Sequence, residues 1–381
     1  MAHVAAVVDG SRLAPRRRPD LAAARAIVSA SVRRGELPCA VFGVADRHGV
    51  VGLEAVSGAH DSVSGGSIFF LASVTKPIVA TAVMQYVDEG RLDLDAPVSR
   101  SLPEFVGRGR ERVTARHILT HSSGLPDSDI QELLRRRPSF AGVLEQALLV
   151  VPEWEPGTQV RYASSPWILL AETVSRLSGM RLGPLLRTRL TDPLAMRDTT
   201  FDPRYDRSRV AQLRGMRIRN RLVGEILLRF MARATLPGGG MFGTVPDLLR
   251  LGRALLRGER DEQDGSRPGL PHAAAGPIRV LTQRSIEEMT RLQTAGLTET
   301  LRDGQTREAL FGLGWAKPRE AMPGGPAVFT HGGAAGGRLW VDPERDLVFA
   351  FLSNLWGAPD EPAFSTLEEV YRAWEGSDER A

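Results

Sequence analysis

The feature that most constrains this chain is a likeness between its two ends. Near the start, "CAVFGVAD" and "VVGLEAVSG" flank the turn "RHG", with Ala40, Phe42 and Val44 alternating on one face. Near the other end, "GRLWV" and "LVFAFLSN" flank the turn "DPERD". A period of two marks strands that turn one face to a core. Strands at both ends can share one antiparallel sheet, so the chain between them must leave that sheet and come back. In between, the period becomes helical: Ile78, Val79, Ala82, Val83, Tyr86 and Val87 fall on one stripe, with Gly90 placed as a stop. "EQALLV", "WILLAETVSRLSG" and "PDLLRLGRALLRG" read as further helices, and "FSTLEEVYRAWEG" as a closing helix over the sheet. The expected fold is α/β plus all-α: an antiparallel sheet flanked by helices, built from residues 19–95 and 275–381, with a mainly helical domain inserted at 96–274 and a flexible N-terminus at 1–18. Clefts between such units commonly hold ligands.

Composition narrows the function classes. At 381 residues the chain exceeds what one core usually organises, and 42% hydrophobic with 25% charged content is ordinary for a soluble protein. A net charge of +4 against 45 acidic residues is too weak an imbalance for nucleic acid as the main partner. The single cysteine, Cys39, excludes an internal disulfide framework and reads as a buried strand residue. "MAHVAAVVDGSRLAPRRRPD" lacks a cationic leader, and no run approaches the ~18 apolar residues of a membrane span. Cytoplasmic residence without stable membrane insertion is the expectation. The most basic stretch, 203–235, reads as a solvated helix packing Ile226, Leu227, Phe230 and Met231 on the helical domain, with a membrane or acidic partner as the alternative. Residues 258–277 read as a long polar loop.

The chemistry sits in three places. Only two lysines, Lys76 and Lys317, occur in an arginine-rich chain, and Lys76 follows Ser73 by three residues ahead of an apolar helix. On a helix that spacing turns both side chains to one side. Pro77 is compatible with a first turn. A buried lysine can lose its proton near neutral pH and act as a base, which a guanidinium cannot do. In the second place, Tyr162 and Ser164 precede an apolar helix, and a phenol relays protons where neighbouring cations such as Lys76 lower its pKa. In the third, His331-Gly332-Gly333-Ala334 reads as an edge strand whose glycines admit a substrate and whose exposed N–H donates to an oxyanion.

Together these resemble the penicillin-binding protein and serine β-lactamase superfamily, in the branch with class C β-lactamases, family VIII carboxylesterases, D-aminopeptidases and acyl-transferring relatives. "FFLASVTKPIVATAVMQYVDEGRLDLDAPVSRSLPEF", "ILTHSSGL", "PGGGMFGTVPDLLRLGRALL", "FGLGWA" and "THGGAAGGRLWVDPERDLVFAFLSN" follow the family's order over roughly residues 20–370. The resemblance implies the β-lactamase/transpeptidase-like fold and an acyl-enzyme on Ser73. Lys76 and Tyr162 would share the proton work, either being a candidate for first base, and the N–H groups of Ser73 and Ala334 would form the oxyanion hole. No cofactor or metal is implied.

Departures from the family pattern bear on the substrate. Where relatives acting on β-lactams or D-alanyl peptides commonly carry Lys-Thr-Gly, this chain has His331-Gly332-Gly333, which lacks the hydroxyl and carries a ring only partly charged near neutral pH. Ser164 stands where those enzymes place asparagine. Both changes point to substrate-binding positions suited to an ester, so the expected partner is a small-molecule ester or acyl donor. Acyl transfer to a secondary metabolite, D-aminopeptidase or weak β-lactamase activity, and a non-catalytic binding role are the alternatives. "GGGMFG" at 238–243 follows no strand and opens no βαβ unit, so it reads as a tight cleft-side loop and not a nucleotide site. His117 and His121 lack the glutamate of a zinc helix and read as structural.

Overall fold

A computed structural model describes residues 19–127, 139–215, 230, 234–256 and 280–378. The strands at the two ends of the chain do form one sheet. β1 (Ala40–Ala45) and β2 (Val50–Val56) form the first hairpin. Short β3 (Phe69–Phe70) pairs with β4 (Phe242–Gly243), and β5 (Thr298–Thr300) with β6 (Thr306–Glu308). β7 (Phe329–Gly333), β8 (Gly337–Asp342) and β9 (Leu347–Ser353) close the fold. The main sheet runs β2-β1-β9-β8-β7, antiparallel throughout, so β1 lies against β9 and β7 is an edge.

Both faces of this sheet are covered, because every residue of β1, β8 and β9 is buried. Ala40, Phe42 and Val44 meet Trp340, Phe349 and the helices Ala22–Arg33 and Glu361–Asp378 on one side. Val41 and Ala45 join the larger core on the other. There the helix Val245–Leu256, within the 96–274 stretch, lies close on the sheet, since a Cβ on Gly43 would come within 2.9 Å of Val245 and Leu249 and one on Gly252 within 2.4 Å of Val348. The large core then continues without a break into the helices Phe140–Leu149, Trp167–Ser178 and Leu182–Leu186.

The helix Thr75–Asp88 is buried from Thr75 to Tyr86 around its whole circumference. The stripe seen in sequence is one of two covered faces: Ala80, Thr81, Met84 and Gln85 are enclosed as well. Gly90 ends it at φ +65°, a conformation that costs glycine little. The N-terminal helix Ala22–Arg33 is absent from the sequence reading, which began at the β1–β2 hairpin. Of the basic stretch, 203–209 forms short turns and Arg214 pairs with Asp61, while Ile226, Leu227 and Met231 lie outside the described residues, as do 1–18 and the expected polar loop at 258–277. No helix among the described residues is long and apolar enough to cross a membrane.

Candidate active site

Ser73 sits on a single 3-10 turn, Ala72–Val74, directly ahead of the helix that carries Lys76. The chain enters this turn through Ala72 at φ +46°, a left-handed conformation costing on the order of 1 kcal/mol for a residue with a Cβ. Lys76 Nζ lies 3.3 Å from Ser73 Oγ, 2.9 Å from Ser164 Oγ and 2.5 Å from the Gly238 carbonyl oxygen. The Tyr162 phenol lies close enough to the hydroxyls of Ser73 and Ser164 for both to act on its ionisation. Its ring centroid is 4.6 Å from Lys76 Nζ. The three groups singled out in the sequence, distant along the chain, thus meet at one hydroxyl.

Burial decides their charge. Lys76 is fully enclosed, and desolvation brings its pKa down to about 7, with Asp127 opposing and Arg302 assisting. A neutral amine has two N–H bonds and one lone pair. Gly238 C=O can only accept, so it takes an N–H, and the lone pair is free to face the Ser73 hydroxyl. For Tyr162 the expectation was that cations lower the phenol; burial instead raises it above the ordinary tyrosine value, outweighing the neighbouring Ser73 and Ser164 hydroxyls and the charge of Arg302. The phenol is therefore neutral.

His331 corrects a second expectation. It is buried, and desolvation together with the nearby Lys76 lowers its pKa to about 3, so the ring carries no charge near neutral pH. Its Nδ1–H donates to the Gly332 carbonyl at 2.8 Å, which leaves Nε2 as an acceptor. His121, read as structural, stacks 4.2 Å from the Tyr162 ring and accepts the Ala163 N–H at Nδ1, 3.3 Å away. Burial and Lys76 hold it uncharged too. His117 completes a capping box with Thr114.

β7 brings backbone to the same place. Thr330 exchanges both its N–H and C=O with Ala316, but beyond it no strand among the described residues pairs with this edge. Gly333 C=O turns inward to the Gly336 N–H at 2.9 Å, and across a trans peptide the Ala334 N–H must point the opposite way, off the edge. Gly333 permits this position: a Cβ there would come within 2.4 Å of Leu71 O and 3.5 Å of Ala72 Cβ, the residues that lead into Ser73. Gly332 lies over the buried Arg338 guanidinium, 3.1 Å from where its Cβ would be. The sequence reading did not identify Gly238, whose carbonyl receives Lys76, or Asp127, whose Oδ1 accepts the Ser164 N–H at 3.0 Å and the Ser165 N–H at 2.8 Å. The glycine loop supplied a signal for the first, as a Cβ on Gly238 would come within 2.5 Å of Ser164 O. Among the described residues no group of three acidic, histidine or cysteine side chains is placed to hold a metal.

A family model described as Beta-lactamase matches residues 24–369. The chain is 30% identical over 323 residues to Penicillin-binding protein 4 of Amycolatopsis lactamdurans, covering 83% of this chain and 79% of that one. It is 36% identical over 208 residues to Esterase EstB of Burkholderia gladioli, covering 46% and 50%. The solved structure described as EstCE1, a hydrolase with promiscuous acyltransferase activity, superposes with a TM-score of 0.72 at 21% identity over 92% of this chain and 98% of that one, which is a likeness of fold.

Proposed function

The chain belongs to the Beta-lactamase family, and on that premise we propose that it is a serine hydrolase that cleaves carboxylic esters through an acyl-enzyme on Ser73. The observation that carries this reading is the enclosed Lys76 amine, poised near neutrality 3.3 Å from Ser73 Oγ. Lys76 Nζ takes the Ser73 proton as Oγ bonds to the ester carbon, and the developing oxyanion is received by the N–H groups of Ser73 and Ala334. Collapse of that intermediate breaks the ester C–O bond. The Tyr162 phenol gives its proton to the departing alkoxide and recovers one from Lys76, which a phenol held neutral does more readily than it serves as first base. Water repeats the sequence on the acyl-enzyme, releasing the acid.

Support for an ester over a β-lactam or peptide comes from the substrate side. An uncharged His331 and a side-chain-free Gly332 offer neither cation nor hydroxyl to a substrate carboxylate at the edge strand, and Ser164 offers no amide. Trp356, 41% exposed and stacked on Phe70, precedes Gly357, whose N–H holds the Ala334 carbonyl at 2.7 Å. On this reading the Trp356 and Phe70 rings are the apolar surface that receives the acyl chain. Transfer of the acyl group to an alcohol is the second reading, favoured by the acyltransferase activity described for EstCE1.

Intact-mass measurement after exposure to p-nitrophenyl butyrate and to nitrocefin tests both. A butyryl adduct that maps to Ser73 is expected with the ester, and little or no adduct with the β-lactam. Added alcohol should yield a new ester if transfer competes. Ester turnover that survives in purified Ser73→Ala would reject the proposed nucleophile.

A further inference from the structure

The β5–β6 hairpin is tied to the chain just before Tyr162 by one parallel bridge, Val160 to Glu299. Val160 N–H donates to Thr298 O at 2.9 Å and Thr300 N–H to Val160 O at 2.8 Å. Beyond Thr300 the chain turns back, with the Leu301 N–H on Gln305 O at 2.8 Å, so the hairpin tip begins two residues from the strand position bonded to Val160, and Leu297 and Tyr162 both pack on the small apolar cluster of Val160, Ala309 and Phe311. Arg302 follows at the tip, exposed. Its charge is felt at both Lys76 and Tyr162. Nearby guanidiniums are engaged: Arg307 and Arg319 pair with Glu299 at 2.6 and 3.5 Å. Among the described residues, Arg302 has no ion pair or side-chain hydrogen bond. Asp127, the acid acting on the same two groups, directs one carboxylate oxygen to the Ser164 and Ser165 N–H groups and the Ser165 hydroxyl.

An unpaired guanidinium held at the rim of a reaction centre is suited to planar, bidentate capture of a carboxylate. Resting on the esterase reading above, in which Tyr162 delivers a proton to the leaving oxygen, the groups beside Tyr162 flank the leaving alcohol. We propose that Arg302 is a specificity residue that binds a carboxylate on the alcohol portion of the ester. The edge strand's inability to hold a substrate acid is then offset on the opposite rim.

Two acetate esters that differ only in the charge of the leaving group, 4-acetoxybenzoate and 4-acetoxybenzamide, read this directly. The wild-type kcat/KM should favour the carboxylate, and the preference should shrink at high salt. Arg302→Gln should lower the ratio about fivefold and Arg302→Glu by about tenfold or more, with Arg302→Lys restoring part of the preference; because the Arg302 charge also acts on Lys76, the ratio of the two esters is the readout, and a general change in kcat cancels from it. An unaltered ratio in Arg302→Glu overturns the proposal, as does an effect confined to an acyl-side acid such as monophenyl glutarate. Binding separates this from the esterase reading. Ser73→Ala protein should hold 4-acetamidobenzoate more tightly than 4-acetamidobenzamide by titration calorimetry, and Ser73→Ala/Arg302→Glu should not. Equal binding of the two amides in Ser73→Ala sinks the role of Arg302, whereas turnover retained by Ser73→Ala sinks the nucleophile alone.

Discussion

Lys76 shows how one enclosed side chain couples chemistry to stability. As the proposed base it must be unprotonated, so on that proposal ester turnover should rise with pH through an apparent pKa of about 7, read from a kcat/KM profile. The stability consequence has the opposite origin. The folded pKa of about 7 lies below the ordinary 10.5, so the unfolded chain binds the extra proton between those values, and stability falls as pH drops from about 10.5 to about 7 before levelling off. The cost at neutrality has an upper bound of about 5 kcal/mol, from 3.5 pKa units at about 1.4 kcal/mol each. Lys76→Met should therefore abolish turnover yet raise the unfolding midpoint at pH 7 and flatten that slope, which urea titrations across pH 7–10 would reveal. A variant less stable than wild type at pH 7 would count against an uncompensated buried amine. The convergence of Ser73, Lys76 and Tyr162 was legible because each carries a reactive group at a telling spacing. Gly238 was not, since it meets Lys76 through a carbonyl that every residue has, and neither were Asp127 and Arg302, which come near the site only through the fold.

At the scale of elements, the edge strand is the piece that converts fold into site. β7 pairs only with β8 in the main sheet, and its last residues pack on the turn that carries Ser73. The glycine pattern in "THGGAAGG" was readable as a strand meant for close approach, but which glycine makes the contact was not, because it depends on how the strand meets Leu71. The structure assigns that contact to Gly333, whose added Cβ would press on a backbone oxygen that cannot swing aside. Gly333→Ala should push the Ala334 N–H away from the oxyanion position, lowering kcat by about a hundredfold or more while costing about 1–3 kcal/mol of stability. Gly332→Ala meets the Arg338 guanidinium instead, at 3.1 Å, and should leave more activity. Equal losses in the two variants would detach Gly333 from this role. The helix Ala22–Arg33 escaped the reading for a different reason. Its buried residues, Ala24, Val28 and Ser31, are short or polar, so its apolar stripe is weak even though the Asp20 carboxylate accepts the Ala22 N–H at 2.9 Å at its start.

Across the whole molecule, the pairing of β1 with β9 joins segments from opposite ends of the chain, and the sheet cannot exist until both are in place. That closure was visible in the matching strand patterns. The continuity of the core behind it was not, because it depends on the two glycines that let the helix Val245–Leu256 settle on the sheet. One apolar cluster runs from Val41 and Val348 in the sheet through Ile78 and Val83 of the central helix to Trp167 and Leu185 among the helices. Lys76 and Ser73 lie on that shared central piece, so a molecule that loses either side should lose the site with it. The chain should consequently unfold in a single cooperative step, with far-ultraviolet dichroism, tryptophan fluorescence and ester turnover falling at one midpoint. Phe349→Ala provides the stringent form of the test. It opens the sheet face turned away from the site and should cost about 3–5 kcal/mol, moving all three signals together without changing KM in the folded protein. If the helical signal persisted after turnover had gone, the sheet and helices would be separate cooperative units, and the shared core would not be what holds Ser73, Lys76 and Tyr162 in register.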